Sequence, residues 1–119
     1  MESTEITLDK PRHLRFTIGS LIALEEKLGA PTAEIVLSVR QISARSINGL
    51  TWAGLRWEDP ALTFEETSKL ITVYLESELG SMTYLTQTLD VALVKSGIFG
   101  RPKSEGDSGN APSPTSPSA

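Results

Sequence analysis

Between Thr17 and Gly29 the large apolar residues recur at helical spacing. Ile18, Leu21, Leu24 and Leu28 fall at i, i+3, i+6 and i+10, while Glu25, Glu26 and Lys27 fall mostly outside that stripe. Thr17 is placed to cap the first turn, and Gly29 follows the last stripe residue, where a left-handed stop belongs. A helix with one apolar stripe must bury it against other elements. The question for the rest of the chain is therefore what packs on this helix.

Four further helices are expected. Pro31-Thr32 opens a brief one through Val39, with Ile35, Val36 and Val39 apolar and proline tolerated in a first turn. Gln41 to Ser46 is polar and reads as a loop. A third helix is expected from about Ser46 to Trp57, with Ile47, Leu50, Gly54 and Trp57 on one stripe and Ala53 beside it. Asp59-Pro60 ends it, because the residue before proline disfavours the α region. Thr63 and Glu66 form a capping box for the fourth helix, whose stripe is Thr67, Leu70, Ile71 and Tyr74. After Gly80, Ser81 caps a fifth helix through about Lys95, with Met82, Leu85, Leu89 and Ala92 in line and Gly97 as its stop.

Ahead of the helices, Ile6 and Leu8 alternate with polar residues, and Leu14 and Phe16 repeat the alternation after Asp9-Lys10-Pro11-Arg12. Two short alternating runs around a proline-containing turn read as a β-hairpin. A hairpin this short needs support from the helices. From Arg101 to Ala119 no aliphatic side chain larger than alanine occurs apart from proline, and Ser, Pro and Gly dominate. Such a stretch buries too little to offset its ordering entropy and is expected to be disordered. The expected fold class is thus mainly α with a small N-terminal β-hairpin (α+β): about five helices in one domain over residues 1–100, and a tail over residues 101–119.

The chain has 119 residues and a formal net charge of −4. Arg101 and Lys103 balance Glu105 and Asp107, so the net negative charge lies before the tail. No cluster of four basic residues occurs, which argues against nucleic acid as a partner. The absence of cysteine excludes disulfides and thiolate metal sites. Met1-Glu2-Ser3-Thr4-Glu5 is acidic rather than basic-then-apolar, so no signal peptide is expected. No apolar run approaches the ~20 residues that span a bilayer, so no membrane association is expected either.

Catalysis needs a constellation, and none can be assembled. His13 is the single histidine and is expected on the surface of the hairpin. Any Ser-His-Asp triad would have to use it, and no serine stands in a Gly-x-Ser-x-Gly context. Glu65 and Glu66 are explained by the dipole of a helix N-terminus, and Glu25 and Glu26 by a solvated helix face. Leu28-Gly29-Ala30-Pro31 and Leu79-Gly80-Ser81 are single-glycine helix ends, not phosphate cradles. No catalytic residue, metal ligand or cofactor is expected, and the chain reads as a non-enzyme.

The candidate residues for binding another protein are apolar. Trp52-Ala53-Gly54-Leu55-Arg56-Trp57 places two tryptophans close together, and tryptophan is enriched at interface hot spots. Trp57 follows the helical stripe and is expected in the core. Trp52 lies off it, either packed under a neighbouring helix or exposed for a partner. Gly54 beside them implies close approach of another helix. Trp52, Leu55 and Trp57, with Ile98 and Phe99 as the last large apolar residues, are the candidate partner-binding set.

The order of these segments resembles a known family. Leu14-Arg15-Phe16-Thr17-Ile18 leads into Ala23-Leu24-Glu25-Glu26-Lys27-Leu28-Gly29; Trp52-Ala53-Gly54-Leu55 and Pro60-Ala61-Leu62-Thr63-Phe64-Glu65-Glu66 follow. Over roughly residues 5 to 95 the chain resembles the tail assembly chaperones of long-tailed phages, in the form found in gene transfer agents and related prophages. The resemblance implies a hairpin ahead of capped helices and no catalytic residues. It implies a holdase for the tape measure protein, a long and aggregation-prone helical protein, that helps recruit tail tube protein subunits around it. It implies action in the cytoplasm of a bacterial host and absence from the mature virion. Some members also occur as a longer frameshifted form. Self-association into a homo-oligomer stays open, and the tail after Gly100 departs from the shorter members, so no role is carried onto it. The alternatives are a structural tail completion or connector protein of the virion and, against the acidic balance, a small regulatory DNA-binding protein.

Overall fold

The computed structural model describes residues 3–98. Phe99 and the tail from Arg101 lie outside them. Two strands and five helices follow in chain order: β1 (Thr4–Thr7), β2 (Pro11–Leu14), α1 (Ile18–Leu28), α2 (Thr32–Arg40), α3 (Ala44–Leu55), α4 (Phe64–Glu76) and α5 (Met82–Ser96). The fold is mainly helical with a small antiparallel hairpin at its N-terminal end, as the patterning predicts.

The helix boundaries follow their caps. The Thr17 hydroxyl accepts from the Ser20 amide (3.1 Å), and the Ser20 hydroxyl accepts from the Thr17 amide (2.9 Å), closing a reciprocal box. Gly29 ends α1 in the left-handed region, at φ 69. Thr63 and Glu66 make the second box, with both bonds at 3.0 Å. Ser81 caps α5, and Gly97 closes it at φ 80. Glu25, read from sequence as solvated, does more. One of its carboxylate oxygens accepts from both the amide (2.7 Å) and the hydroxyl (2.8 Å) of Thr32, so α1 supplies the N-terminal cap that Pro31 cannot give α2.

α3 is the axis of the domain and packs on the other four helices and on β2. Every residue from Ser46 to Leu55 is buried, so this helix has no solvent face over most of its length. Leu50 and Leu55 of α3, and Leu24, Leu85 and Leu89 of the helices packed on it, are fully buried, each contributing ~2 kcal/mol by removal from water. Two glycines let neighbours close in. A methyl group at Gly49 would lie 2.9 Å from Leu24 Cδ1 and Leu28 Cδ1, and one at Gly54 would lie 2.8 Å from Leu14 Cδ2. The close approach predicted at Gly54 is therefore real, but its partner is the hairpin; the helix–helix approach is at Gly49.

Four expectations are corrected. Ile18 is 63% exposed, and the buried face of α1 is Leu21, Leu24 and Leu28. At about 100° per residue Ile18 stands roughly 90° from the middle of that arc. α3 starts at Ala44, not Ser46, because the Ser43 hydroxyl caps it. The same helix stops at Leu55, two residues early, because Trp57 and Glu58 turn away to bond β2. Trp57 is consequently 42% exposed rather than core. In the hairpin, β2 begins at Pro11, so the connection is Leu8–Lys10; Ile6 pairs with Arg12, and Thr4 with Leu14. Proline is tolerated as a first strand residue.

Candidate partner-binding surface

Those of the residues proposed from sequence that are described, Trp52, Leu55, Trp57 and Ile98, do not form one surface. Trp52 is buried: its indole N–H donates to the Leu62 carbonyl (3.0 Å), and its ring meets Phe64 edge-on at 6.1 Å. The Arg56 guanidinium lies 4.8 Å from the ring centre and the Lys27 ammonium 5.5 Å, so cations cover what the core leaves open. Leu55 is fully buried. Ile98 is half-buried and packs on the core. Trp52 and Leu55 are thus core residues, for the physical reason that α3 is surrounded. Of the proposed set, Trp57 is the one that stands substantially exposed among the described residues; Phe99 lies outside them.

Trp57 is itself engaged in a clasp on the hairpin. Its indole N–H donates to the His13 carbonyl (2.9 Å), and the Arg15 guanidinium lies 5.4 Å from its ring. Glu58 accepts from the His13 amide (3.1 Å) and meets His13 Nδ1 (3.0 Å). Asp59 lies 3.6 Å from Arg12, which also holds Asp9 at 2.8 Å. The hydrogen bond from Arg12 draws the Asp9 carboxyl below its usual range. Trp57, Glu58 and Asp59 thereby pin Arg12 and His13 of β2 and meet Arg15 just beyond it, the support that so short a ribbon requires. The single histidine belongs to this clasp. Among the described residues no three His, Asp or Glu side chains gather where they could hold a metal ion.

A different place has the shape of a binding site. Between β1 and the turn joining α4 to α5 lies a groove of about 550 Å³, lined by Glu5, Ile6, Thr7, Tyr74, Leu79 and Tyr84. Buried Ile6 and Tyr74 form its floor, while Leu79 (86% exposed) and Tyr84 (55%) form its wall. The turn that carries Leu79 is tied down. The Tyr74 carbonyl accepts from both the amide (3.1 Å) and the hydroxyl (2.6 Å) of Ser77, and the Gly80 amide donates to the Ser77 carbonyl (3.1 Å). The Tyr74 hydroxyl donates to the Ser81 carbonyl (3.2 Å), so one tyrosine spans the turn. Gly80 is required here, because a methyl group would overlap the Tyr74 carbonyl oxygen and sit 2.7 Å from Leu75 Cα.

No family model matches the chain, and no curated protein or solved structure matches it either.

The groove was not legible as a site in the sequence. Tyr74 reads as stripe, Leu79 as the end of a fading helix and Ile6 as hairpin core. One signal was available: Leu79 is a large aliphatic residue between an acidic residue and a glycine, outside any stripe.

Proposed function

We propose that this chain is a tail assembly chaperone of the long-tailed phage type, which binds the tape measure protein and helps recruit tail tube subunits during tail morphogenesis in a bacterial cytoplasm. The observation that carries the reading is the order and spacing of motifs from Leu14 to Glu66. The fold supports it at a coarser level: a small helical domain that buries its central helix α3 leaves apolar side chains such as Ile22, Leu79 and Tyr84 for contact with another chain. The acidic balance, with a net charge of −4, favours the solubility that a holdase needs. On this reading the chain performs no chemistry; His13 and Glu58 brace the hairpin.

Mass spectrometry of purified particles and of the producing cells tests the proposal. A chaperone should be abundant in the cells and absent from finished tails. Stoichiometric recovery from the particles would replace it with the tail completion or connector reading.

A further inference from the structure

We propose that the groove between β1 and the α4–α5 turn is the docking site for an extended segment of a partner protein, one that carries an aromatic or large aliphatic residue between Lys or Arg side chains. The proposal rests on the protein-binding reading above but not on the identity of the partner.

The direction of the groove comes from its lining. Consecutive residues of a strand point to opposite faces, yet Glu5, Ile6 and Thr7 all line this groove. It therefore runs along the edge of β1 rather than over one face. Among the described residues the sheet has two strands, so no strand pairs with that edge, and Thr4–Thr7 make no main-chain hydrogen bond beyond β2. Outward N–H and C=O groups on such an edge receive extended chain, with main-chain bonds supplying affinity and a side-chain pocket supplying selectivity.

The choice of anchor comes from the floor and wall. Ile6, Tyr74, Leu79 and Tyr84 make an apolar slot that water solvates poorly. Leu79 is presented on a turn held by Tyr74, Ser77 and Gly80, so little ordering entropy is lost when a partner covers it. A large aliphatic residue this exposed on so constrained a turn has no role in the domain's own core.

The flanking charge comes from the rim. Glu5 lines the groove, and exposed Glu78 directly precedes Leu79 in the chain. Among the described residues, no Lys, Arg or His lines it. Carboxylates around an apolar slot favour cations on either side of the anchor and repel acidic segments.

The test uses the full chain and a fluorescein-labelled peptide, Lys-Thr-Lys-Phe-Lys-Thr-Lys, with one counterpart carrying Glu for every Lys and another carrying Ser for Phe. Fluorescence anisotropy should show saturable binding of the first peptide at least about tenfold tighter than either counterpart. Amide shifts in an NMR titration should centre on Glu5–Thr7, Tyr74, Leu79 and Tyr84. Leu79→Ser, on an exposed turn, should weaken binding about tenfold without altering the spectrum elsewhere. The paired Glu5→Lys and Glu78→Lys change should weaken it most at low salt. Absence of saturable binding into the millimolar range, equal binding of the acidic counterpart, or a shift pattern away from the groove would overturn the proposal. The tape measure protein takes no part in this test, so its outcome is separable from that of the chaperone reading.

Discussion

The groove depends on the turn that presents Leu79, and that turn is tested most severely by adding one methyl group at Gly80. The new Cβ of Gly80→Ala would lie 2.7 Å from Leu75 Cα and 2.9 Å from the Leu75 carbonyl carbon, and it would overlap the Tyr74 carbonyl oxygen. Carbon atoms in good contact are about 3.5–4.0 Å apart, so each carbon contact is roughly 1 Å too short. The obstructing atoms are backbone of the last turn of α4 and cannot swing aside. Relief requires the turn to open, with loss of the Gly80–Ser77 and Tyr74–Ser81 hydrogen bonds, each worth ~1 kcal/mol net. The expected loss is about 2 kcal/mol, or a fall in Tm of about 10 °C for a domain of this size. The same substitution at Gly19 is the control. There the nearest obstacle is Thr17 Oγ1 at 3.8 Å, and φ is not positive. Gly19→Ala should stabilise by ~0.5 kcal/mol through the unfolded chain and helix propensity. Urea denaturation followed by circular dichroism reads both. A Gly80→Ala protein as stable as the parent would refute the tied turn and, with it, the presentation of Leu79.

Three further outcomes are expected. Thr63→Ala removes the reciprocal cap of α4 and should cost ~1 kcal/mol in the same denaturation experiment; no loss would mean that the box is idle. Of the two single-tryptophan proteins, the one that keeps Trp52 (Trp57→Phe) should resist acrylamide quenching, while the one that keeps Trp57 (Trp52→Phe) should be quenched readily and should be destabilised by ~1–2 kcal/mol through the unpaired Leu62 carbonyl; equal quenching would contradict the assignment. The Thr32 hydroxyl and amide hold the Glu25 carboxyl below its ordinary value of 4.5. A group lowered in the folded state contributes stability above its unfolded pKa and loses it as pH falls through the folded one. Stability should therefore drop below about pH 4.5 and do so less in Glu25→Gln; an NMR titration that places Glu25 at its ordinary value would remove the basis for this.

Much of the fold was legible because local grammar and global packing agree. Thr17, Thr63 and Ser81 open helices, Gly29 and Gly97 close them, and the stripes between them, Ile18 apart, face the core. The misreadings share a cause, which is contact with residues distant in sequence. Trp57 has a stripe position but bonds the His13 carbonyl, 44 residues away. Gly54 advertises a close approach, but nothing local says that Leu14 and Phe16 fill it. Leu55 and Trp52 carried an anchor-like signature because a helix surrounded on all sides looks, in sequence, like one with an apolar face to spare. The groove was hidden for the same reason, since Ile6 and Leu79 meet only after the hairpin and the α4–α5 turn come together.

Binding of the tape measure protein, and its retention in solution, is what we propose for this chain. Coexpression of that protein with and without the chain, followed by measurement of its soluble fraction and of what co-purifies, tests the claim most directly. The tape measure protein should become soluble only in the chain's presence and elute bound to it. An unchanged soluble fraction with no complex on the column would contradict it.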